Sequence, residues 1–315
     1  MIITVTLNPT IDKTLEIPGF APGRTLKART IRRQPAGKGV NVSRVLAALG
    51  VPSVATGILG DAELPAYRRS FEAPPPGGRR VAEVRLEFVT IPSDTRQNTT
   101  ILDPGGGPET HVREEGFAVG AAEIDAFGRK LRKLARPGDL VVFAGSLPPG
   151  ATPEHLAGLV RSSSEAGCGT AVDTSGAALA AAVEAGCTIA KPNLEELGEL
   201  TGGHIESAAD AARAAESLRG KIVLLVTMGA EGACCFAAGD SLRGKVELEG
   251  AVNTVGAGDA FLAGFLAAYT MRQPLPDCLR LAVACGGAST LERWAGEINV
   301  DVVRRLAERT LIERI

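Results

Sequence analysis

The feature that most constrains the fold is a regular alternation of strand and helix patterns in the second half of the chain. From residue 121 onward, short apolar runs rich in Val, Ile, Leu and Ala alternate with longer segments of helical periodicity. Parallel strands need a long crossover between them, and a helix usually supplies it. The alternation therefore predicts an α/β fold, with a mostly parallel sheet flanked by helices on both faces. Ligands are expected at the carboxyl ends of its strands.

The composition agrees with this prediction and excludes several classes of protein. The chain is 45% hydrophobic and only 4% aromatic, which suits buried parallel strands packed under helices. At 315 residues, one large domain with an added subdomain is favoured over several separate domains. The net charge of −2 gives no reason to expect nucleic-acid binding. No apolar run reaches membrane-spanning length and no signal peptide is recognisable, so we expect a cytoplasmic protein without a membrane partner.

Cysteine and histidine patterns do not indicate a disulfide framework or a zinc centre. The 6 cysteines form no Cys-x-x-Cys motif and are expected to be reduced core residues. The 3 histidines lie far apart in the sequence and have no recognisable metal-ligand spacing.

Several segments outside the regular alternation have a different pattern. Apolar and polar residues alternate in part, which is typical of half-exposed antiparallel strands. These segments are residues 81–91, 98–102 and 109–112, and short strand patterns also occur at residues 14–17 and 28–33. We predict that they form a small sheet set apart from the main fold. In this interpretation, residues 1–315 are a single domain, and a discontinuous β lid is formed by about 12–34 and 81–113.

The stretch from Asn253 to Phe261 reads Asn-Thr-Val-Gly-Ala-Gly-Asp-Ala-Phe. Residues 246–248 before it have a strand pattern, and an apolar helix pattern follows it, so its glycines are predicted to lie at a helix start. Helix-start amides lack internal partners and the helix dipole is positive there, which predicts an anion-binding cup made by Gly256, Ala257 and Gly258. Asp259 follows the cup and could take a proton from an attacking hydroxyl, for which a carboxylate of ordinary pKa would suffice. Asp is also a common helix cap, and the stretch alone favours that role.

Two earlier stretches also contain candidate ligand-binding residues. The run from Gly37 to Ser43 places glycines around a helix start, but it is not a Walker P-loop because Gly39 follows Lys38. The usual dinucleotide fingerprint is also missing, which argues against an NAD-dependent dehydrogenase. Asp12 follows an Asn-Pro turn after the opening strand, and both a turn role and a ligand role are open for it.

Five stretches in order along the chain resemble the motifs of one family, the ribokinase-like (PfkB) sugar kinases. The match is to the branch that contains 1-phosphofructokinases and tagatose-6-phosphate kinases. The stretches are Asn8-Pro9-Thr10-Ile11-Asp12, the run from Gly37 to Ser43, Asn193-Leu194-Glu195-Glu196, the run from Thr227 to Gly232, and the run from Asn253 to Asp259. The resemblance covers essentially the whole chain. This resemblance makes Asp259 a predicted catalytic base rather than a cap.

The resemblance implies a role for each matching residue. Asp259 would be the base, and Gly256, Ala257 and Gly258 would stabilise the transferred phosphoryl group. Substrate binding would fall to Asp12, Gly37, Lys38, Gly39, Asn41, Lys27 and Arg96, with Lys38 and the basic lid facing the phosphate that the sugar already carries. ATP would be held by Asn193, Thr227, Gly229, Gly232 and Gly258. Glu196 would place Mg²⁺ through water, and a monovalent cation is a further expected cofactor.

The resemblance implies ATP-dependent phosphorylation of a ketohexose phosphate. The predicted reaction converts fructose 1-phosphate to fructose 1,6-bisphosphate, and tagatose 6-phosphate or fructose 6-phosphate is the alternative substrate. A ribokinase, a nucleoside kinase and a non-catalytic sugar-binding protein are weaker alternatives. We also expect a homodimer that pairs through the lid.

Overall fold

The structure is a computed structural model that describes residues 1–72, 82–218, 220, 222–237 and 239–315. Within these ranges, ten strands form one large sheet. They are β1 (Ile2–Thr6), β4 (Ser53–Gly60), β5 (Val84–Ile91), β8 (Leu140–Ala144), β9 (Gly169–Asp173), β10 (Ile189–Ala190), β11 (Val223–Thr227), β12 (Ala233–Ala237), β13 (Asp240–Lys245) and β14 (Leu311–Arg314). A second sheet contains β2 (Thr10–Glu16), β3 (Arg29–Ala36), β6 (Gln97–Leu102) and β7 (Thr110–Arg113).

The large sheet is mostly parallel, as the alternation predicts. Its strand order is β14-β13-β12-β11-β10-β9-β8-β1-β4-β5. The strands from β11 to β5 in this order pair in parallel, and β12, β13 and β14 add antiparallel strands at one end. The parallel strands therefore direct their carboxyl ends to one edge of the sheet, where ligands bind in such folds.

Helices cover both faces of this sheet and confirm the predicted α/β fold class. The helices of the described residues are α1 (Lys38–Ala48), α2 (Leu64–Glu72), α3 (Ala121–Leu134), α4 (Pro153–Glu165), α5 (Gly176–Glu184), α6 (Leu194–Thr201), α7 (Ala208–Ala215), α8 (Ala257–Thr270), α9 (Leu275–Thr290) and α10 (Val300–Arg309). Neighbouring strand residues pack into different cores. Val141 lies in the core with α3 to α7, whereas Val142 lies in the core with α1, α8, α9 and α10.

The small sheet has the order β3-β2-β6-β7 and lies outside the large sheet. Strand β2 pairs antiparallel with β3 but parallel with β6, and β6 pairs antiparallel with β7. A single domain with a discontinuous lid remains our interpretation of these two sheets.

Two predicted strands are placed differently by the structure. The segment 81–91 was expected in the small sheet, but Val84–Ile91 pairs in parallel with Ser53–Gly60 at the edge of the large sheet, and residue 81 lies outside the described residues. An edge strand is half exposed and alternates in polarity, so its pattern resembles that of a lid strand. Residues 246–248 are not a strand, because β13 ends at Lys245.

Two further findings concern the cysteines and the lengths of the helices. All six cysteines are buried and free, in agreement with the prediction of reduced core residues. No described helix combines the length and the apolar character that crossing a membrane requires.

Candidate active site

The start of helix α8 has the geometry that the signature stretch predicts. The helix begins at Ala257, and Gly256 before it has a left-handed backbone conformation with φ of 84°. A Cβ atom on Gly256 would lie 2.8 Å from the Cβ atom of Ala295, so this turn requires glycine. The Ala257 amide donates to the carbonyl oxygen of Thr254 at 3.3 Å, whereas the Gly258 amide makes no hydrogen bond within the described residues. The helix start therefore has an available donor for an anion.

Asp259 lies in the first turn of this helix and is only 5% exposed. The side-chain amide of Asn41 on α1 donates to its Oδ2 atom at 2.9 Å. Burial, followed by the charge of Asp173, raises the pKa of Asp259 to about 7, and this rise exceeds the opposing effects of Lys38, Asn41 and Lys191. A carboxylate of ordinary pKa would suffice for a base, and the raised pKa of Asp259 was not predicted because the sequence pattern does not show how deeply the carboxyl is buried.

A buried ion cluster lies beside Asp259 at the carboxyl ends of two neighbouring strands. Asp173 is the last residue of β9, and Lys191 directly follows β10. The Oδ1 atom of Asp173 lies 2.9 Å from Nζ of Lys38 and 3.3 Å from Nζ of Lys191. Burial tends to raise the pKa of Asp173, but the two ammonium groups outweigh it and hold this pKa below its ordinary value. The other carboxylate oxygen, Oδ2, is buried and makes no hydrogen bond in the described structure.

The cluster also reaches the anion cup. A Cβ atom on Gly258 would lie 3.5 Å from Nζ of Lys191, which places this ammonium group next to the helix start. The cup therefore combines a helix N-terminus with a buried cation, a combination that favours a phosphoryl group. The sequence analysis missed Asp173 and Lys191. Their positions at strand ends were the available signal, because that edge of a parallel sheet is where ligands bind.

A cavity of about 330 Å³ opens between the small sheet and the signature stretch. Its lining includes the small-sheet residues Asp12, Thr14, Arg32, Gln34, Asn98, Thr99, Thr100, Leu102, His111, Val112 and Arg113 together with Glu109, and it also includes Val252, Asn253, Val255, Arg293, Trp294 and Ala295. The side-chain amide of Asn98 donates to Oδ1 of Asp12 at 3.3 Å, and the Oδ1 atom of Asn98 is buried without a partner in the described residues. Burial raises the pKa of Asp12. These acceptor oxygens suit the hydroxyl groups of a sugar.

The glycine-rich stretch positions helix α1 against the opening strand. Gly37 has φ of 136°, and a Cβ atom there would lie 2.7 Å from Cγ2 of Thr6. A Cβ atom on Gly39 would lie 2.6 Å from Oγ1 of the same threonine. This close packing fixes the start of α1 and so positions Asn41 for its hydrogen bond to Asp259.

Three predicted sugar-phosphate residues lie outside the cavity lining. Lys27 is exposed in the loop between β2 and β3. The guanidinium group of Arg96 donates to the backbone carbonyl oxygens of Asn8, Pro9 and Glu114, at 3.0, 3.4 and 3.1 Å. Lys38 contacts Asp173 rather than the small sheet, which places its charge at the end of the site where Asp259 lies.

The predicted nucleotide residues come together at the next strand ends. Asn193 caps helix α6 by accepting from the Glu196 amide at 2.8 Å, and Oε2 of Glu196 accepts from the Asn193 amide at 2.8 Å. Asn193 also forms a parallel bridge with Thr227 at the end of β11. Gly229 and Gly232 make the turn that follows, with φ of 58° and 88°.

The described residues contain no group of three or more His, Cys, Asp or Glu side chains arranged to hold a metal ion. A divalent ion at this site would therefore depend on water and on ligand oxygens for most of its coordination.

Comparison with known proteins gives a consistent result over the whole chain. The model of the pfkB family carbohydrate kinases matches residues 4–300. The 1-phosphofructokinase of Rhodobacter capsulatus is 37% identical over 289 residues, covering 90% of this chain and 88% of that protein. The tagatose-6-phosphate kinase of Staphylococcus epidermidis is 30% identical over 308 residues, covering 96% of each.

The solved structures agree with this result. Phosphofructokinase-2 from Escherichia coli, in complex with potassium, superposes with a TM-score of 0.87, at 26% identity and with 98% of each chain covered. Together with the buried carboxyl at a helix start, these similarities confirm the family that the five motifs indicate. The chain belongs to the pfkB family of carbohydrate kinases, enzymes that transfer a phosphoryl group to an alcohol.

Proposed function

We propose that this chain transfers the terminal phosphoryl group of ATP to fructose 1-phosphate and produces fructose 1,6-bisphosphate. The observation that carries the proposal is the buried Asp259 carboxyl, which lies at the start of α8 beside Lys191. The 1-phosphofructokinases among the relatives support the choice of sugar. A tagatose 6-phosphate kinase is the second candidate, because a relative with that name covers the chain equally well.

In this proposal, the hydroxyl to be phosphorylated donates to Asp259, which takes its proton as the new bond to phosphorus forms. Asn41 holds the carboxylate through its hydrogen bond of 2.9 Å to Oδ2. The Gly258 amide and the Lys191 ammonium group stabilise the charge on the transferred phosphoryl group. Asp12 and Asn98 accept hydrogen bonds from the sugar hydroxyls and so orient the substrate.

The nucleotide would bind along Asn193, Thr227, Gly229 and Gly232, and Mg²⁺ would be held through water by Glu196. These residues fit the ion, because one oxygen of the Glu196 carboxylate is engaged in capping α6 while the other stays available for water. Bound Mg²⁺ would neutralise phosphate charge. The potassium in the phosphofructokinase-2 structure supports including a monovalent cation among the proposed cofactors.

Substrate choice is the first test of the proposal. We expect kcat/KM for fructose 1-phosphate to exceed that for free fructose, ribose or adenosine by at least about 10- to 100-fold, because a charged hydrogen bond to the phosphate is lost with the free sugars. Steady-state ATP consumption measures this directly. The three phosphorylated sugars, fructose 1-phosphate, tagatose 6-phosphate and fructose 6-phosphate, are compared with free fructose, ribose and adenosine. Equal efficiency on fructose and fructose 1-phosphate would contradict the proposal.

The pH dependence follows from the raised pKa of Asp259. Asp259 acts as a base only when ionised, so kcat/KM should fall about tenfold per pH unit below pH 7 and level off above it. The second ionisation of the substrate phosphate lies near pH 6 and gives a separate, lower inflection. A profile that is flat between about pH 5.5 and pH 8 would contradict the assignment of Asp259 as the base, because these limits lie about 1 unit or more on either side of its pKa.

Dimerisation through the small sheet is the third test. Its outer strands β3 and β7 are edges of the sheet, and Val112 on β7 is 52% exposed. Exposed edges with apolar side chains favour pairing with a second copy. We expect a dimer in sedimentation at micromolar protein concentration, and Val112→Asp should weaken it. A wild-type monomer under the same conditions would argue against the pairing.

A further inference from the structure

The hydrogen bond from Asn41 to Asp259 depends on which way the side-chain amide of Asn41 is turned. Its NH₂ group faces Oδ2 of Asp259 at 2.9 Å. An amide turned by half a rotation would place its oxygen there, and two acceptors would then face each other when the carboxyl is ionised. The amide is closely enclosed, since a Cβ atom on Gly296 would lie 3.0 Å from its Oδ1 atom. Close packing does not select the orientation, however, because the oxygen and the NH₂ group are similar in size.

Arg44, which follows Asn41 by three residues on α1, supplies the selection that packing does not. Its Nη1 atom donates to Oδ1 of Asn41 at 3.4 Å. A guanidinium group carries donors only, so it favours the oxygen of the amide as its neighbour and disfavours the NH₂ group. The NH₂ group is then directed to the opposite side, where the carboxylate of Asp259 accepts from it. Arg44 and Asp259 therefore favour the same orientation of the amide that lies between them.

Other contacts hold the Arg44 side chain in place. Its Nη2 atom donates to the backbone carbonyl oxygen of Pro35 on β3 and, at 3.2 Å, to the hydroxyl of Ser70 on α2. Its Cζ atom lies 5.2 Å from the centroid of the Phe71 ring, a distance at which a cation is attracted to the ring face. The guanidinium group is thus anchored on two elements outside its own helix, which limits the positions open to it.

The environment of Arg44 makes its charge costly to hold. The acceptors of its hydrogen bonds, on Asn41, Pro35 and Ser70, are all neutral oxygens. Burial lowers the pKa of Arg44 to about 10, so the guanidinium group still carries its charge at neutral pH. A buried charge that is hydrogen-bonded to neutral groups lacks the compensation that an ion pair would give it. The contact with Asn41 gives this charge a use at the site.

We propose that Arg44 is a positioning residue that fixes the side-chain amide of Asn41, so that its NH₂ group holds one carboxylate oxygen of Asp259 and leaves the other for the attacking hydroxyl. This inference rests on the proposed function, because it concerns the same base. Arg44 is not among the described residues that line the cavity, so it acts through Asn41 and not on the sugar.

The role predicts an effect on the ionisation of Asp259. The groups that face this carboxyl come from α1, from the end of β9 and from the segment after β10, namely Asn41, Lys38, Asp173 and Lys191. The hydrogen bond from Asn41 is one of the effects that lower the pKa of Asp259. An amide that is free to turn its oxygen toward the carboxylate would lose this effect, and the pKa would rise further.

The pH profile of Arg44→Met tests the inference. We expect the midpoint of kcat/KM for fructose 1-phosphate to rise by about 1 pH unit from its wild-type value of about 7, because a hydrogen bond to the charged form of Asp259 is weakened. At pH 7, kcat/KM should fall by about 10-fold, with KM for ATP close to wild type. Arg280→Met is the matched control. Arg280 also donates to a backbone carbonyl oxygen, that of Thr310, but it is not among the groups that act on Asp259, so its loss should leave the midpoint unchanged.

An Asn41→Ala background separates positioning from the simple loss of a nearby charge. If Arg44 acts through the amide, Arg44→Met should move the midpoint no further once Asn41 is replaced by alanine. A direct electrostatic effect of Arg44 would move the midpoint equally in both backgrounds. Arg44→Lys should keep the midpoint close to that of wild type, because an ammonium group also carries donors only.

Urea unfolding gives a second result that needs no turnover. A raised folded-state pKa of an acid removes stability as pH rises, and the loss levels off above that pKa. The stability difference between wild type and Asp259→Asn should therefore level off above about pH 7, and with Arg44→Met in both proteins it should level off about 1 unit higher. If Arg44→Met does not fold, Arg44→Gln replaces it in both measurements, because a neutral amide imposes no orientation on Asn41.

The outcomes separate the inference from the proposed function. An unshifted midpoint in a folded variant of Arg44, or an equal shift in the Asn41→Ala background, would overturn the positioning role while the kinase assignment stands. A wild-type enzyme that phosphorylates no ketohexose phosphate would overturn the proposed function, and the unfolding measurement would still decide whether Arg44 controls the ionisation of Asp259.

Discussion

Asp259→Asn is expected to lower kcat by roughly 10²- to 10⁴-fold while the fold and the affinity for ATP stay close to wild type. The substitution keeps the size of the side chain, and the new side-chain oxygen can still accept the hydrogen bond from Asn41. It removes the carboxylate that we propose takes the proton of the attacking hydroxyl. If Asp259 were only a helix cap, the change would have little effect, because Asn caps helices about as well as Asp.

The chain offers a matched control for this variant. Asp210 occupies the same position in helix α7 as Asp259 does in α8, the third residue of the helix, but it is part of an exposed capping box with Ser207. Asp210→Asn should leave kcat unchanged. Retention of more than about a tenth of wild-type kcat by Asp259→Asn would show that another group is the base.

Asp259→Asn should also be more stable than wild type at alkaline pH. The folded-state pKa of Asp259 is raised to about 7, so its folded state favours the protonated carboxyl, and stability is lost as pH rises from the ordinary aspartate pKa through 7. Asparagine has no such dependence. In urea unfolding, the stability gain of Asp259→Asn over wild type should therefore grow by about 2 to 3 kcal/mol between about pH 5 and pH 8, as the linkage between protonation and folding requires. A catalytic carboxyl that destabilises its own fold is a common cost of function.

The sequence predicted the main layers of this fold because its periodicities report burial directly. Continuous apolar runs predicted the parallel strands, and helical periodicity predicted the helices that pack on the two faces of the sheet. Alternation of polarity, however, reports exposure and not the partner of a strand. Val84–Ile91 alternates because it is the edge of the large sheet, and only its pairing with β4 distinguishes it from a strand of the small sheet.

The site was predictable where its residues stand in a motif. Motifs made Asp259, Asn41 and Asp12 candidates, and the structure brings Asn41 to Asp259. Asp173 and Lys191 were missed, since a single Asp or Lys at the end of a strand is not a motif. Their ion pair joins residues from two strands and depends on the tertiary fold. The raised pKa of Asp259 could not be predicted for the same reason, because burial and the charge of Asp173 cause it.

Asp173→Asn is expected to destabilise the fold by about 3 to 5 kcal/mol, because it leaves the buried Lys191 ammonium group without its carboxylate. Lys191 is only 6% exposed at its side chain, whereas Lys38 is 42% exposed and can turn to water, so Lys191 accounts for most of the cost. The pKa of Asp173 lies below its ordinary value, so the deficit should persist from neutral pH down to about pH 4, the unfolded value, and decline below it. Urea unfolding of the wild type and the variant measures it.

Two further variants separate the ion cluster from a general packing effect. Asp240→Asn breaks a more exposed pair with Arg314 and should cost no more than about 1 kcal/mol. Asp173→Asn combined with Lys191→Met should recover part of the lost stability, because no unpaired buried ammonium group remains at that position.

Asp173→Asn should also lower the pKa of Asp259, since the charge of Asp173 helps to raise it, and the midpoint of the kcat/KM profile should move below pH 7. A stable Asp173→Asn variant whose kcat/KM profile keeps its midpoint would mean that Asp173 neither stabilises the buried Lys191 nor affects the pKa of Asp259.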